Sequence, residues 1–100
     1  YLEGGNYQKS IAILDPYARE HDENSLAWSL LSDAYRKAGR MTDLHIARAE
    51  TLSLRGDYQA AIDELIVARG TTSDKLTLAR IEARITQLEL AKKDLDSLKG

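Results

Sequence analysis

Three large side chains and a glycine stand at helical spacing in the middle of the chain, as Trp28, Leu31, Tyr35 and Gly39. Residues three, four and seven positions apart lie on the same side of an α-helix. The pattern therefore predicts a helix that carries the three large side chains on one stripe. Gly39 stands where such a helix would end, because glycine readily adopts the left-handed conformation that closes a last turn. We interpret this stretch as the first helix of a helical-hairpin repeat.

A second glycine turn follows at Gly56-Asp57-Tyr58. Ala61 and Leu65 come after it, at the spacing with which the second helix of a hairpin packs small and large residues against its partner. The two segments together predict an all-α chain built from helical hairpins. Repeats of this kind bind other proteins far more often than they catalyse reactions.

Composition limits the possible functions. The chain has 100 residues, of which 43% are hydrophobic and 30% charged, enough for one domain that buries roughly two thirds of its unfolded surface. Its 14 Lys and Arg are interspersed with 16 Asp and Glu, which disfavours nucleic acid as the main partner because that affinity rests on phosphate neutralisation. There is no cysteine, and no apolar run approaches the roughly 20 residues of a membrane span. Because the chain begins at Tyr1, inside a repeat, we expect a fragment of a longer protein.

The first helix carries two breaker signals. The segment 4–7, Gly-Gly-Asn-Tyr, is predicted to form a turn that opens the chain, with Tyr1 and Leu2 as the end of a preceding helix. From Tyr7 onward the apolar positions follow helical spacing. Pro16 cannot donate a backbone hydrogen bond, so we expect the helix to kink near Asp15 or to stop early.

Four more helices are predicted, at 25–38, 41–55, 58–69 and 74–98. Asn24 or Ser25 caps the first of these, after a polar loop. The helix at 41–55 is apolar on two sides, which predicts that it is sandwiched between neighbours. The last helix is unusually long, and its polar second half is expected to project and fray. We expect any crystal dimer through Leu2, or through Leu88 and Leu95, to reflect uncapped ends of the stack.

The glycine segments define an internal repeat. Gly5 and Gly39 are 34 residues apart, whereas Gly5 and Gly56 are 51 apart, which is one repeat plus a half of 17. We infer that helix 41–55 serves both hairpins. The predicted organisation is a single domain over 1–100, with a first unit at 5–39, a compressed unit at 39–72 and a long terminal helix at 73–98.

Residues 5 to 70 resemble the tetratricopeptide repeat family. The first half of the family pattern matches Trp28, Leu31, Ser32, Tyr35 and Gly39, and the second half matches Gly56, Tyr58, Ala61, Leu65 and Ala68. Leu44 and Arg48 depart from the pattern, where the family has alanine and a large apolar residue. The resemblance implies a right-handed superhelix of antiparallel helical hairpins with about five helices, which binds a protein or peptide partner.

A narrower resemblance comes from the order of the segments. A GNYQKSIAIL helix, a WSLLSDAYRKAG helix, a compressed unit with ARAE and a long helix with RIEARI together resemble the C-terminal region of bacterial periplasmic zinc metallopeptidases linked to outer-membrane β-barrel assembly. The resemblance implies a periplasmic protein whose catalytic zinc belongs to a separate N-terminal domain. The zinc motif HExxH is absent from this sequence, so we predict no enzymatic activity, no catalytic residue, and neither metal nor other cofactor in this chain.

Candidate partner-binding residues follow from the positions that line the groove in tetratricopeptide proteins. They are Ser29, Asp33, Arg36, Lys37, Asp43, Ile46, Glu50 and Leu54. The alternative is that these residues are merely exposed. A chaperone-type carboxylate clamp is disfavoured, because Ser29 and Asp33 occupy its positions and Asp33 would repel a carboxylate. His21 and His45 are each expected to be structural or solvated, since a lone histidine lacks the other ligands of a metal site.

Two functions remain open. One is the interaction region of such a metallopeptidase, acting in outer-membrane protein assembly and quality control. The other is a stand-alone tetratricopeptide adaptor, or a chaperone of secretion or pilus assembly, without a protease domain. The sequence upstream of Tyr1 would decide between them.

Overall fold

A computed structural model describes residues 4–99 of the chain. Five helices follow one another: α1 (Gly4–Glu20), α2 (Ser25–Ala38), α3 (Met41–Leu54), α4 (Tyr58–Arg69) and α5 (Lys75–Lys99). No strand occurs within residues 4–99, so the prediction of an all-α fold is confirmed. The predictions for Tyr1 and Leu2 lie outside the described residues.

The first helix differs from its prediction at its glycines and in its length. The segment 4–7, predicted to be a turn, is helical, and α1 continues through Pro16 to Glu20 without the early stop. The kink near Asp15, which was the other expectation, stays a prediction. Packing explains the continuation: Ile11 before the proline and Ala18 after it are both buried in one cluster with residues of α2. Burial on both sides of Pro16 outweighs the loss of one backbone hydrogen bond.

The second helix has the predicted ends. The Asn24 side chain accepts a hydrogen bond from the backbone N–H of Ala27 at 3.1 Å, which makes Asn24 the N-cap. Gly39 closes the helix with a φ of 76°, and its N–H donates to the carbonyl of Arg36 at 3.2 Å. The preceding loop is tied to the same helix, because the indole N–H of Trp28 donates to the carbonyl of Asp22 at 3.0 Å.

Two apolar clusters meet at α3. The first joins α1, α2 and α3, and consists of Ile11, Ala18, Ala27, Trp28, Leu31, Ala34, Tyr35, Leu44 and Ala47. The second joins α3, α4 and α5, and consists of Ala49, Ala61, Ile62, Leu65, Ala68, Ile81, Ile85 and Leu88. Because α3 contributes to both, the prediction that helix 41–55 is sandwiched between neighbours is confirmed.

Consecutive helices are antiparallel neighbours. The hydroxyls of Thr42 and Thr71 lie 2.6 Å apart, and Nδ1 of His45 lies 2.7 Å from a carboxylate oxygen of Glu64. The start of α3 therefore lies beside the end of α4. Helices α1 to α5 contact one another in chain order, in a body of 51 × 28 × 19 Å. A right-handed tetratricopeptide superhelix stays a prediction.

The last helix is buried as far as Leu88, and none of the residues 89–98 is buried. α5 is continuous to Lys99, and Leu88 is only 2% exposed within the second cluster. Leu95 is half-buried. Leu88 is therefore not part of an exposed end that could pair with a second copy, because the α5 seam turns it towards the core.

Candidate partner-binding grooves

The eight predicted binding residues do not form one surface. Ser29, Asp33 and Arg36 line a groove between α2 and α3, whereas Asp43, Ile46 and Glu50 line a separate groove between α3 and α5. Lys37 lies with Asp33 in a third groove, between α1 and α2. Leu54 is 39% exposed at the end of α3, and it lines none of these three grooves. The repeat pattern placed all eight residues in one groove.

The groove between α2 and α3, which we call the α2–α3 groove, consists of two adjoining cavities that share Ser29, Ser32 and Arg48. The volumes of the cavities are about 390 and 220 Å³. The complete lining is Ser29, Ser32, Asp33, Arg36, Leu44, Arg48, Thr51, Leu52 and Arg55. Three arginines therefore face this groove against one aspartate, in a chain whose net charge is −2.

The aspartate of the α2–α3 groove is neutralised by its own helix. Asp33 accepts hydrogen bonds from the ammonium of Lys37 at 3.2 Å and from the guanidinium of Arg36. The Lys37 and Arg36 hydrogen bonds lower the pKa of Asp33 below its usual value. The expectation that Asp33 would repel a carboxylate therefore took no account of the two cations that already hold it.

The arginines on α3 are less occupied. Arg48 is 53% exposed and lies 3.4 Å from the Glu64 carboxylate, whose other oxygen is 2.7 Å from His45. Within residues 4–99, no carboxylate lies within 4.0 Å of the Arg55 guanidinium. The α3 side of the groove thus offers guanidinium donors for a partner.

The hydroxyl groups of the α2–α3 groove have oriented protons. The Ser32 hydroxyl donates to the carbonyl of Trp28 at 2.9 Å, and the Thr51 hydroxyl donates to the carbonyl of Ala47 at 3.2 Å. Because each proton points into its own helix, each oxygen is left to accept a hydrogen bond. The groove therefore combines arginine donors with hydroxyl acceptors.

The groove between α3 and α5, which we call the α3–α5 groove, is lined in part by an ion pair. Arg84 donates two hydrogen bonds of 2.8 Å to the two carboxylate oxygens of Glu50. The Glu50 side chain is 15% exposed and that of Arg84 is 33% exposed. Asp43 is likewise held by Arg40 at 2.7 Å. The acidic residues predicted to meet a partner here are already paired with arginines of the chain.

No local pattern in the sequence predicts the Glu50–Arg84 pair. The two residues are 34 positions apart, whereas helical spacing reveals only partners three or four positions away. The same holds for the cluster of His45, Arg48 and Glu64, which joins α3 to α4.

The two histidines have structural contacts. His45 is bonded to Glu64 at 2.7 Å and is 17% exposed, and the ring of His21 lies against that of Tyr17 with centroids 4.4 Å apart. Within residues 4–99, no group of three or more histidines and carboxylates is arranged to hold a metal ion. Nor does any helix over these residues have the length and apolar character needed to span a membrane.

Comparison with known proteins gives one consistent relationship. The chain is 35% identical over 89 residues, 88% of its length, to the beta-barrel assembly-enhancing protease of Escherichia coli (strain K12), and equally to that of Shigella flexneri. It is 29% identical over 98 residues to the putative beta-barrel assembly-enhancing protease of Vibrio cholerae. The chain spans about a fifth of the length of these relatives. No protein-family model matches it. These likenesses support the narrower resemblance, while the tetratricopeptide assignment stays a prediction.

Proposed function

We propose that this chain is the protein-interaction region of a bacterial periplasmic zinc metallopeptidase that acts in outer-membrane protein assembly and quality control. The observation that carries the proposal is the 35% identity over 88% of the chain to beta-barrel assembly-enhancing proteases. The identity extends over all five helices rather than over a short motif. The proposal therefore concerns the role of the whole helical stack.

The structure supports a binding role for the stack. Its helices leave grooves between them that are lined by exposed polar side chains, and grooves between packed helices are common sites of polypeptide binding. The catalytic zinc of the proposed parent would be held by a different domain, through an HExxH helix that this sequence lacks. We propose that the stack presents a partner to that domain.

A second candidate is a stand-alone tetratricopeptide adaptor, or a chaperone of secretion or pilus assembly. It stays open because the chain spans about a fifth of the length of these relatives. A helical stack of this size could act as part of a metallopeptidase or as a stand-alone adaptor. The two candidates differ in whether an HExxH segment occurs elsewhere in the same polypeptide.

Photocrosslinking in the complete parent protein tests the proposal. A photoreactive phenylalanine analogue is placed at Ser29 or Arg36 in the α2–α3 groove, at Ile46 in the α3–α5 groove, and at exposed Gln8 on α1 as a control that lines none of the grooves. We expect groove positions to crosslink to outer-membrane barrel proteins or their assembly machinery, and Gln8 to give little product. Crosslinks only to secretion or pilus components would favour the second candidate, and equal labelling from Gln8 would contradict a groove-based role.

A further inference from the structure

We infer that the α2–α3 groove binds an internal acidic segment of a partner polypeptide, with Arg48 and Arg55 as its anchors. This inference deepens the proposed binding role and rests on it for the biological context. It concerns one groove and one kind of partner chemistry, neither of which follows from the likeness to known proteins.

Charge complementarity is the first reason. Arg36, Arg48 and Arg55 line the α2–α3 groove, and its one carboxylate, Asp33, is held by Arg36 and Lys37. Of the other two arginines, Arg48 is 53% exposed and lies 3.4 Å from Glu64, and Arg55 has no carboxylate within 4.0 Å among the described residues. The positive charge that is left for a partner therefore lies on the side of the groove opposite α2. An acidic segment gains charge-assisted hydrogen bonds there, because guanidinium groups match carboxylates in shape and charge.

The α3–α5 groove has a smaller excess of positive charge. Its lining has three arginines, Arg19, Arg80 and Arg84, against the two carboxylates of Asp43 and Glu50. Glu50 is bonded by Arg84 through both oxygens, and Arg19 is bonded to Asp15 at 2.8 Å. The lining of the α2–α3 groove, by contrast, has three arginines against one carboxylate.

Spacing is the second reason. Arg48 lies on α3 and Arg55 directly follows its last residue, so the two are seven residues apart, which corresponds to a helical rise of about 10.5 Å. A polyproline II segment advances about 9.3 Å over three residues and returns to the same face. Carboxylates at every third position of an extended segment would thus reach both arginines. The hydroxyl oxygens of Ser32 and Thr51 lie on the same groove and can accept hydrogen bonds from the segment backbone.

The partner is a polypeptide rather than a nucleic acid. The lining of the α2–α3 groove contains no aromatic side chain, whereas single-stranded nucleic acids are held by stacking on aromatic residues as well as by positive charge. The chain as a whole carries a net charge of −2, which opposes binding to a long polyanion.

Fluorescence anisotropy with the chain and a defined probe tests the inference. The probe is a labelled peptide of repeated Glu-Pro-Ala with an amidated C-terminus, so that it has no terminal carboxylate, and the matched peptide carries Gln in place of Glu. We expect the Glu peptide to bind and the Gln peptide to bind at least about ten-fold more weakly. Binding should weaken as salt is raised, because the contacts are exposed.

Two double variants distinguish binding in the α2–α3 groove from a general effect of positive charge. Arg48→Gln with Arg55→Gln should weaken binding of the Glu peptide about ten-fold or more, whereas Arg19→Gln with Arg80→Gln removes the same charge from the α3–α5 groove and should change it less than about two-fold. Arg55→Gln alone breaks no ion pair among the described residues. We expect it to weaken binding while its circular dichroism spectrum matches that of the unmodified chain.

Several results would overturn the inference. They are equal binding of the two peptides, an equal loss in the Arg19 and Arg80 variant, no binding by the unmodified chain, or equal affinity for an oligothymidine of the same length. Self-association that Arg55→Gln abolishes would make a second copy the occupant and would also refute it. These results are independent of the crosslinking experiment. If the chain belongs to a different kind of parent protein, the expected crosslinks would be missing, but the acidic peptide would still bind to the α2–α3 groove.

Discussion

The Glu50–Arg84 pair provides a direct test of how the C-terminal helix is attached. The pair joins α3 to α5 through two hydrogen bonds of 2.8 Å, and Arg84 also lies 3.4 Å from the Ser53 hydroxyl. We expect Glu50→Gln and Arg84→Met to destabilise the chain by different amounts. The coupling between them measures the pair itself.

The burial of the two side chains sets the size of the expected coupling energy. Exposed ion pairs contribute about 0.2–1 kcal/mol, whereas removing one partner of a fully buried pair costs about 3–5 kcal/mol. With 15% and 33% exposure, the Glu50–Arg84 pair lies between these limits, and we expect a coupling of about 1–2 kcal/mol. Arg84→Met should cost more than Glu50→Gln, because it leaves the more buried charge without its partner.

Urea unfolding followed by circular dichroism at 222 nm measures these values in a double-mutant cycle. The matched control is Arg69–Glu82, which joins α4 to α5 at 2.8 Å with side chains 41% and 55% exposed. Its coupling should stay below about 0.5 kcal/mol. Equal couplings for the two pairs, or a smaller loss in Arg84→Met than in Glu50→Gln, would refute the assignment of stability to burial.

Four further substitutions have expected outcomes in the same unfolding assay. Trp28→Ala should cost about 3–5 kcal/mol, since the indole is buried and hydrogen-bonded, and a loss below about 1 kcal/mol would exclude it from the core. Gly39→Ala should cost about 1 kcal/mol because φ is 76°, whereas Gly70→Ala, at a φ of −77°, should be neutral or slightly stabilising. Asp74→Ala should destabilise the chain at neutral pH, because hydrogen bonds from the Thr77 hydroxyl and N–H lower the pKa of Asp74. A lowered folded pKa gives stability that is present above the unfolded value of 3.8 and lost as pH falls through the folded pKa, so the two proteins should converge in acid.

The helices were predictable because their signals are local. The bounds predicted for 25–38 and 58–69 agree with α2 and α4, where a cap, an apolar stripe and a terminal glycine or arginine all lie within a few residues of one another. The first helix was predicted less well, since two glycines and a proline are breaker signals that burial of Ile11 and Ala18 overrides. Ile11 and Ala18 are buried because α2 packs against them. A stretch of sequence that covers only α1 does not contain that information.

The eight predicted partner-binding residues do not share one groove, because α3 packs against neighbours on two sides. Their role in binding stays a prediction. α3 packs against α2 on one side and against α4 and α5 on the other. Residues of α3 therefore face two different grooves: Arg48 and Arg55 face α2, whereas Asp43 and Glu50 face α5. A family pattern with one groove assigns helix α3 a single exposed face and selects Asp43, Ile46 and Glu50. On the other face, Arg48 departs from that pattern, which has a large apolar residue at this position. Arg48 adds positive charge to the α2–α3 groove, and the proposed binding of an acidic partner depends on that charge.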